Sequence, residues 1–247
     1  MNNAKVLDFS PLADISSIPL KNAETVKSWG KTLIVAPHPD DESLGCGGAI
    51  ALLRSFNVEV EVLVLSDGTL SHPNSVKFPA EKLRDLRENE MLDALKILGV
   101  NKENTTFFRY KDRSVPDKNS VQAVAQCAEY LAWTKPQTIL VPWRRDPHPD
   151  HRAAYSLLKA ANKAAKMIEY PIWLWEIAES EDAPKFVEID AFRLDITSVI
   201  SQKQLAINAH QSQTTDLIDD DPHGFRLTPD ILANFAENWE VYLKEKI

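Results

Sequence analysis

From residue 31 onward, short apolar segments alternate with longer amphipathic ones, and this alternation limits the folds that the chain can adopt. Short apolar runs are typical of buried strands, and longer segments with a periodic apolar stripe are typical of helices. Strands that alternate with helices predict a Rossmann-like α/β fold, in which helices flank a mostly parallel sheet. The predicted strands span residues 31–36, 58–65, 105–110, 138–141 and 171–178, with a further strand or hairpin in 185–195. The predicted helices span residues 44–56, 80–98, 121–133, 152–168, 198–210 and 229–243.

The domain organisation follows from the length and from the absence of internal boundaries in the sequence. At about 150 residues per domain, a chain of 247 residues is one large domain or two small ones. The sequence contains no repeat and no low-complexity linker, so we predict a single domain over residues 31–247. Residues 1–30 are mixed and polar, and we predict an N-terminal extension that packs on the domain or frays.

Composition excludes several classes of protein. Lys and Arg total 28 against 36 Asp and Glu, giving a formal net charge of -8, so the chain lacks the positive field that nucleic acid binding needs. No run approaches the roughly 18 apolar residues of a membrane-spanning helix, and the first residues lack the pattern of a secretory signal. The two cysteines, Cys46 and Cys127, give no disulfide framework. We therefore expect a soluble cytoplasmic protein that binds neither nucleic acid nor the membrane interior.

Two histidine-containing loops follow predicted strands directly. The segment HPDDE, residues 38–42, follows the first strand, and DPHPDH, residues 146–151, comes just after the fourth. In a doubly wound sheet, ligands bind outside the carboxyl ends of the strands, where the strand order switches. Because the first and fourth strands are neighbours at that switch, we expect the two loops to face each other.

The residue types in these loops suit a hydrolytic metal site. Catalytic zinc takes three His or carboxylate ligands and keeps one position for water, and a nearby carboxylate can take the proton of that water. His38 and Asp41 can point at one ion from a tight turn, with His151 opposite, while Asp40 faces the water and His148 reaches the substrate. Each loop alone also suits an ordinary surface turn. Their joint position at strand ends favours the metal site.

A glycine cluster opens the predicted helix after the first loop. The chain has only 7 glycines, and Gly45, Gly47 and Gly48 fall within one turn of that helix. Glycines at such a place can cradle phosphate at a helix N-terminus. Their spacing matches neither dinucleotide-binding nor Walker A patterns. Close packing of the helix on the sheet is therefore the favoured interpretation.

At these residues the sequence resembles the PIG-L/LmbE-like family of zinc-dependent N-deacetylases, a resemblance that covers roughly residues 30–245. The family's AHPDDE motif, which a glycine-containing helix follows, is similar to APHPDDESLGCGG at 36–48, and its HPDH motif to residues 148–151. Further matching residues are 66–68, Arg87, Glu90, 98–100, Lys203 and 210–213. The resemblance implies an LmbE-like fold of the Rossmann type.

The resemblance also implies a role for each residue of the two loops. The implied zinc ligands are His38, Asp41 and His151. Asp40 would be the general base, and His148 would stabilise the oxyanion or assist departure of the amine. Asp150 would orient a histidine from behind. Ferrous iron is an alternative to Zn²⁺, since two His and one carboxylate also suit that ion.

The implied reaction removes acetyl from an N-acetylglucosamine unit joined to another group, so the expected partner is a small-molecule amino-sugar conjugate. Arg144 and Arg145 are candidates for binding an acidic substrate group, unless they pair with the surplus carboxylates. Asp67 is a candidate for binding sugar hydroxyls, unless it only builds a turn. Trp173 and Trp175 would share one face of a strand, in the core or at a subunit interface, so a homo-oligomer is left open.

Two other functions remain open at this point. The first is an amidase of the same fold that cleaves a different N-acyl group or a thiol-sugar conjugate. The second is a sugar-phosphate or nucleotide-binding α/β protein without catalysis, in which the histidines are structural and no metal is bound.

Overall fold

The computed structural model describes Ser10 and residues 12–246, and its centre is one eight-stranded sheet. Its strands are β1 (Leu20–Lys21), β2 (Thr32–Ala36), β3 (Val60–Ser66), β4 (Thr105–Tyr110), β5 (Thr138–Pro142), β6 (Lys166–Tyr170), β7 (Ile189–Asp195) and β8 (Trp239–Glu245). Their order across the sheet is β1-β7-β8-β6-β5-β2-β3-β4. All neighbouring pairs are parallel except those of β8, which runs antiparallel to β6 and β7.

Helices cover both faces of this sheet. They are α1 (Asp41–Ser55), α2 (Ala80–Ile97), α3 (Val121–Thr134), α4 (Pro149–Ala161), α5 (Ile200–Ala209), α6 (Gln211–Thr214) and α7 (Pro229–Ala233). Alternate residues of β2 enter different cores, because successive side chains of a strand point to opposite faces. Ile34 packs with α1, α2 and α5, whereas Leu33 packs with α3 and α4. None of the described helices is long and apolar enough to cross a membrane.

The expected Rossmann-like α/β architecture is confirmed, including its switch in strand order. Strand β2 pairs in parallel with β3 on one side and β5 on the other. The chain runs outward through β3 and β4, then returns across the sheet to β5. The loops after β2 and β5 therefore open at adjacent strand ends, which is where such folds bind ligands.

The helix expected over residues 152–168 was wrong in its second half, and so was the strand expected over 171–178. Helix α4 ends at Ala161, and residues 166–170 form β6. The side chain of Asn162 accepts hydrogen bonds from the N–H groups of Ala164 and Ala165, which turns the chain out of the helix. Residues 171–178 hold a single 3₁₀ turn at Trp173–Trp175.

The helix expected over residues 229–243 was also wrong beyond its first turn. Helix α7 ends at Ala233, and Trp239–Glu245 is the antiparallel strand β8. Val241 and Leu243 enter one core cluster, and Tyr242 enters another. An interior strand is apolar on both faces, so its sequence does not alternate and resembles a buried helix.

The described part of the N-terminal segment packs on the domain. Leu12, Ile18, Val26 and Trp29 are buried, and β1 adds a short parallel edge strand beside β7. The boundary between residues 30 and 31 stays a prediction. The part of the predicted extension at residues 1–9 and 11 lies outside the described residues.

The glycine cluster lies in the most buried helix, α1. A Cβ on Gly45 would lie 2.3 Å from the ring of Tyr170, and one on Gly48 would lie 2.6 Å from Ile196. Both distances are shorter than the van der Waals contacts that a Cβ atom makes in proteins. The glycines therefore let α1 pack closely against Tyr170 and Ile196, which agrees with the interpretation that the glycine cluster serves close packing.

Candidate metal centre

The loops after β2 and β5 bring three histidines together. The ring centroids of His38 and His151 lie 5.5 Å apart, and the ring of His148 lies 4.7 Å from His38 and 5.0 Å from His151. His38 follows β2, whereas His148 caps helix α4 and His151 lies in its first turn. The pairing of β2 with β5 thus unites residues more than a hundred positions apart in the sequence.

Two imidazole nitrogens lie close to one carboxylate oxygen where the sequence predicts the metal ligands. The Oδ2 atom of Asp41 lies 3.2 Å from both Nδ1 of His38 and Nε2 of His151. Both ring nitrogens of His151 are buried, and neither makes a well-oriented hydrogen bond among the described residues, although each has a carboxylate oxygen at 3.2 Å. A buried nitrogen without a partner is costly. An ion bound by Nε2 of His151 would satisfy that atom, and two imidazole nitrogens with one carboxylate oxygen are donor types that suit a divalent cation.

Carboxylates stand behind both histidines on the side away from this point. Nε2 of His38 lies 3.2 Å from Oδ2 of Asp150 and 3.4 Å from Oδ1 of Asp112. Nδ1 of His151 lies 3.2 Å from Oδ1 of Asp146. Such carboxylates fix the orientation of a ligating imidazole and make it more basic.

Backbone donors already hold the carboxylates behind His38. Asp150 accepts hydrogen bonds from the N–H groups of Arg113 and Val115, and Asp112 accepts one from Leu70. Among the described residues, two groups of three side chains offer ligand atoms that all lie within 4.8 Å of one another, His38 with His148 and His151, and His38 with Asp112 and Asp150. Because backbone N–H groups occupy both carboxylates, we interpret them as supports for the imidazole.

The neighbouring carboxylates raise the pKa of both histidines. Burial alone lowers the pKa of His151, but Asp41 and Asp146 outweigh it and raise the pKa to about 9. Burial likewise opposes protonation of His38, but its three carboxylate neighbours raise its pKa well above the ordinary value. The pocket therefore favours a cation at this point, either as protons on the imidazoles or as a bound metal ion.

Asp40 sits beside this point in a strained backbone conformation. Its φ of 136° is rare for a residue other than glycine, and such strain clusters at functional sites. Burial raises the pKa of the Asp40 carboxyl to about 6, against the opposing charge of Arg87. The guanidinium of Arg87 lies 3.1 Å from Oδ2 of Asp40 and also donates to the carbonyl oxygens of Pro39 and Gly68. The carboxylate is thus held in place with a pKa suited to proton transfer near neutral pH.

A cavity of about 300 Å³ opens over these side chains. Its polar floor consists of His38, Asp40, Asp41, Arg87, Asp112 and His148. The volume and the few convergent polar groups are typical of a small-molecule site.

Comparison with known proteins identifies the family of the chain. The sequence pattern of the PIG-L family, described as GlcNAc-PI de-N-acetylase, matches residues 33–162 and spans both histidine loops. The chain belongs to the PIG-L family.

One sequence relative and two structural neighbours are similar to this chain. A probable N-acetyl-alpha-D-glucosaminyl L-malate deacetylase 2 of Bacillus subtilis (strain 168) is 27% identical over 213 residues, 85% of this chain and 95% of the relative. N,N'-diacetylchitobiose deacetylase from Pyrococcus horikoshii superposes with a TM-score of 0.63 at 24% identity, covering 79% of this chain and 74% of that one. The 4-carboxy-2-hydroxymuconate hydratase GalB from Pseudomonas putida KT2440 gives 0.62 at 21% identity, covering 88% and 96%. Because one neighbour is named a hydratase, the fold alone does not decide the chemistry.

In this PIG-L family member, the two arginines proposed to bind substrate do not reach the cavity. Arg144 pairs with Glu169 and Glu245, and Arg145 pairs with Glu188. Neither arginine is among the described residues that line the cavity. Their guanidinium groups are occupied by carboxylates, which agrees with the alternative interpretation of these residues.

Asp67 also has a local role in the structure. Its Oδ1 atom accepts hydrogen bonds from the N–H groups of Thr69 and Asp112. Asp67 therefore fixes the loop that carries Asp112, and it does not line the cavity among the described residues. Asp112 is the residue that the sequence interpretation missed. It lies two residues after β4, so its position after a strand end was the available signal.

Proposed function

We propose that this protein is a metal-dependent N-deacetylase that removes acetyl from an N-acetylglucosamine-type conjugate of low molecular weight. The observation that carries the proposal is the position of Oδ2 of Asp41, 3.2 Å from a nitrogen of both His38 and His151 and beside the buried carboxylate of Asp40. The family match and the deacetylase name of the Bacillus relative support the same reaction.

His38, Asp41 and His151 would hold the ion through two nitrogens and one carboxylate oxygen. This donor set suits Zn²⁺, with Fe²⁺ as the alternative. When bound, the ion supplies Lewis-acid activation of the water that attacks the amide. Asp150 and Asp146 would keep the two imidazoles aimed at it.

Asp40 would take the proton of the attacking water. Its pKa of about 6 leaves the carboxylate charged at neutral pH, and Arg87 keeps it in position. Once Asp40 holds this proton, it can deliver it to the amine as the C–N bond breaks. The proton taken from the water is thus returned to the leaving amine, and acetate and a free amine are the products.

His148 would stabilise the amide oxygen as negative charge develops on it. Its Nδ1 atom accepts a hydrogen bond from the N–H group of Asp150 at 3.2 Å, so the neutral ring carries its proton on Nε2. Burial and the nearby His151 and His38 lower the pKa of His148 to about 3, which keeps the ring neutral. The Nε2–H group is therefore available as a donor to an oxyanion.

The proposal is tested by acetate release from soluble N-acetylglucosamine conjugates, with metal-loaded protein and with protein treated with chelator. We expect release that chelator abolishes and Zn²⁺ restores. Asp40→Asn should keep the metal and lose about 10²–10⁴-fold in kcat, whereas His151→Ala should lose the metal. The matched control variants are Asp93→Asn and His223→Ala, because both of these residues are exposed. Full activity of Asp40→Asn would refute the assigned base.

The cytoplasm remains the proposed compartment. Cys46 and Cys127 are both buried free thiols, which suits a reducing environment.

A further inference from the structure

The cavity has two sides of different chemistry. Besides the polar floor, the cavity is lined by six apolar side chains from other segments of the chain, here named the apolar wall and defined as Ile172, Trp173, Ile177, Phe225, Ile231 and Phe235. The floor comes from the loops after β2, β4 and β5 and from the helices α1 and α2. The wall comes from the loop after β6 and from the segment between α6 and β8.

The side chains of the apolar wall pack against one another, and some of them are exposed to solvent. The rings of Trp173 and Phe225 meet edge to face at 5.6 Å, and Phe235 is buried beneath the surface. Ile177 is nevertheless 60% exposed, and Ile231 is half-buried. Apolar side chains grouped at the mouth of a polar site indicate a surface that a ligand covers.

The apolar wall has no cationic side chain that could bind an acidic ligand. Arg87 is paired with Asp40, and Glu176 on the wall side accepts a hydrogen bond from the side chain of Asn234. Among the described lining residues, Arg113 is the cation that forms no ion pair, and it follows Asp112 on the polar side. The wall therefore offers no partner to the carboxylates of a group such as the L-malate named for the Bacillus relative.

We propose that the apolar wall binds an alkyl or aryl group of the substrate, joined to the amino sugar whose amide reacts on the floor. This inference rests on the amide hydrolysis of the proposed function and specifies its substrate class, and a longer acyl chain would replace acetyl as the group removed. The apolar group has two possible sources, an aglycone on the sugar or an acyl chain longer than acetyl. Both place hydrocarbon next to a polar sugar, which matches the two sides of the cavity.

Two substrate series distinguish the sources. One series carries alkyl aglycones of rising length on N-acetylglucosamine, and the other carries N-acyl chains of rising length on glucosamine. Primary amine release gives kcat/KM for each compound. Along the series that fits, kcat/KM should rise by about fourfold per methylene that the wall buries. The malate conjugate should be slower than the best alkyl compound, and a malate conjugate faster than every alkyl compound would overturn the inference.

The slope of log kcat/KM against chain length tests the wall itself. Ile231→Asn and Ile177→Asn should each lower this slope, because they put an amide where hydrocarbon should pack. Ile177 is 60% exposed, so its replacement does not threaten folding. The matched control is Val187→Asn, whose side chain is 84% exposed and outside the cavity lining, and it should keep the slope. An equal slope in all three variants and the wild type would overturn the inference.

A binding experiment separates this inference from the proposed function. Alkyl glucosides carry no amide, so calorimetry with them reports on the wall whether or not the protein hydrolyses anything. Affinity that rises with chain length and falls in Ile231→Asn supports the wall even where no acetate is released. Acetate release with a flat chain-length dependence in both experiments would overturn the wall and leave the deacetylase proposal in place.

Discussion

Lys203 and Glu240 form an ion pair of 2.8 Å in the protein interior, directly behind the helix that carries Asp41. Both side chains are nearly inaccessible to solvent. The carboxylate of Glu240 also accepts hydrogen bonds from the N–H groups of Gly48 and Ala49 in α1. A buried charge is therefore joined to the backbone of the helix on which the candidate metal site begins.

Replacing Lys203 by Met should destabilise the fold strongly. The substitution leaves the carboxylate of Glu240 buried without its counter-charge, and breaking such a pair costs about 3–5 kcal/mol. Urea unfolding of metal-free protein measures the change. The control is Lys159→Met, because Lys159 pairs with Glu245 at the surface and exposed pairs contribute about 0–1 kcal/mol. Equal losses in both variants would contradict the role assigned to the buried pair.

The sequence predicted the four parallel strands from β2 to β5 well, and three of them, β2, β3 and β5, are buried along their whole length. It missed the parallel strand β6. The expected strand at residues 105–110 coincides with β4, and the expected helix at 80–98 differs from α2 by one residue. The failures lie where local pattern and tertiary position disagree. The central residues of strand β8 are buried on both faces because it lies between β6 and β7, and no short-range signal shows that position.

The site was predictable to the extent that it depends on strand order. The pairing of β2 with β5 suffices to bring His38 and Asp41 close to His151. The direction of side chains beyond the loops was not predictable in the same way. Arg144 lies at the same strand end, but Glu169 on the adjacent strand β6 holds its guanidinium away from the cavity. Such a choice depends on a neighbour distant in the sequence.

The pH dependence of the proposed hydrolysis should respond to Arg87. Asp40 acts as a base only when it is deprotonated, so kcat/KM should fall as the pH drops through its pKa. The charge of Arg87 opposes the rise in pKa that burial causes. In Arg87→Gln the pKa of Asp40 rises, and the acid limb should move to higher pH by about one unit or more. Wild type and variant are compared with the same metal loaded, so the ion's own effect on Asp40 is present in both profiles. An unmoved limb would show that another group controls it.

The carboxylates behind the histidines should control metal affinity. In Asp146→Asn the imidazole of His151 loses the charged carboxylate beside its Nδ1, and in Asp150→Asn the imidazole of His38 loses one of the two charged carboxylates beside its Nε2. Removing such partners typically weakens metal binding by about 10–100-fold. Competition with a chromogenic chelator measures the affinity for Zn²⁺. Asp93→Asn is the exposed control, and wild-type affinity in both variants would contradict the proposed ligand arrangement.

His210 should make metal-free protein more stable on the acid side of neutrality. Burial lowers its pKa, but the charge of Glu42, whose Oε1 lies 3.1 Å from Nε2, and those of Asp40 and Glu90 outweigh burial and raise it. A histidine whose pKa is raised by folding contributes stability that is complete below its unfolded pKa of about 6.5. That contribution is lost as the pH rises through the folded pKa.

The deficit in unfolding free energy of His210→Gln relative to wild type should therefore be larger at pH 6 than at pH 9. Urea unfolding in the presence of chelator at both values measures it. His223→Gln changes an exposed histidine and should show no such difference. A deficit that grows with pH would mean that His210 is held neutral in the folded protein, and its contact with Glu42 would then be a hydrogen bond without an ionic contribution.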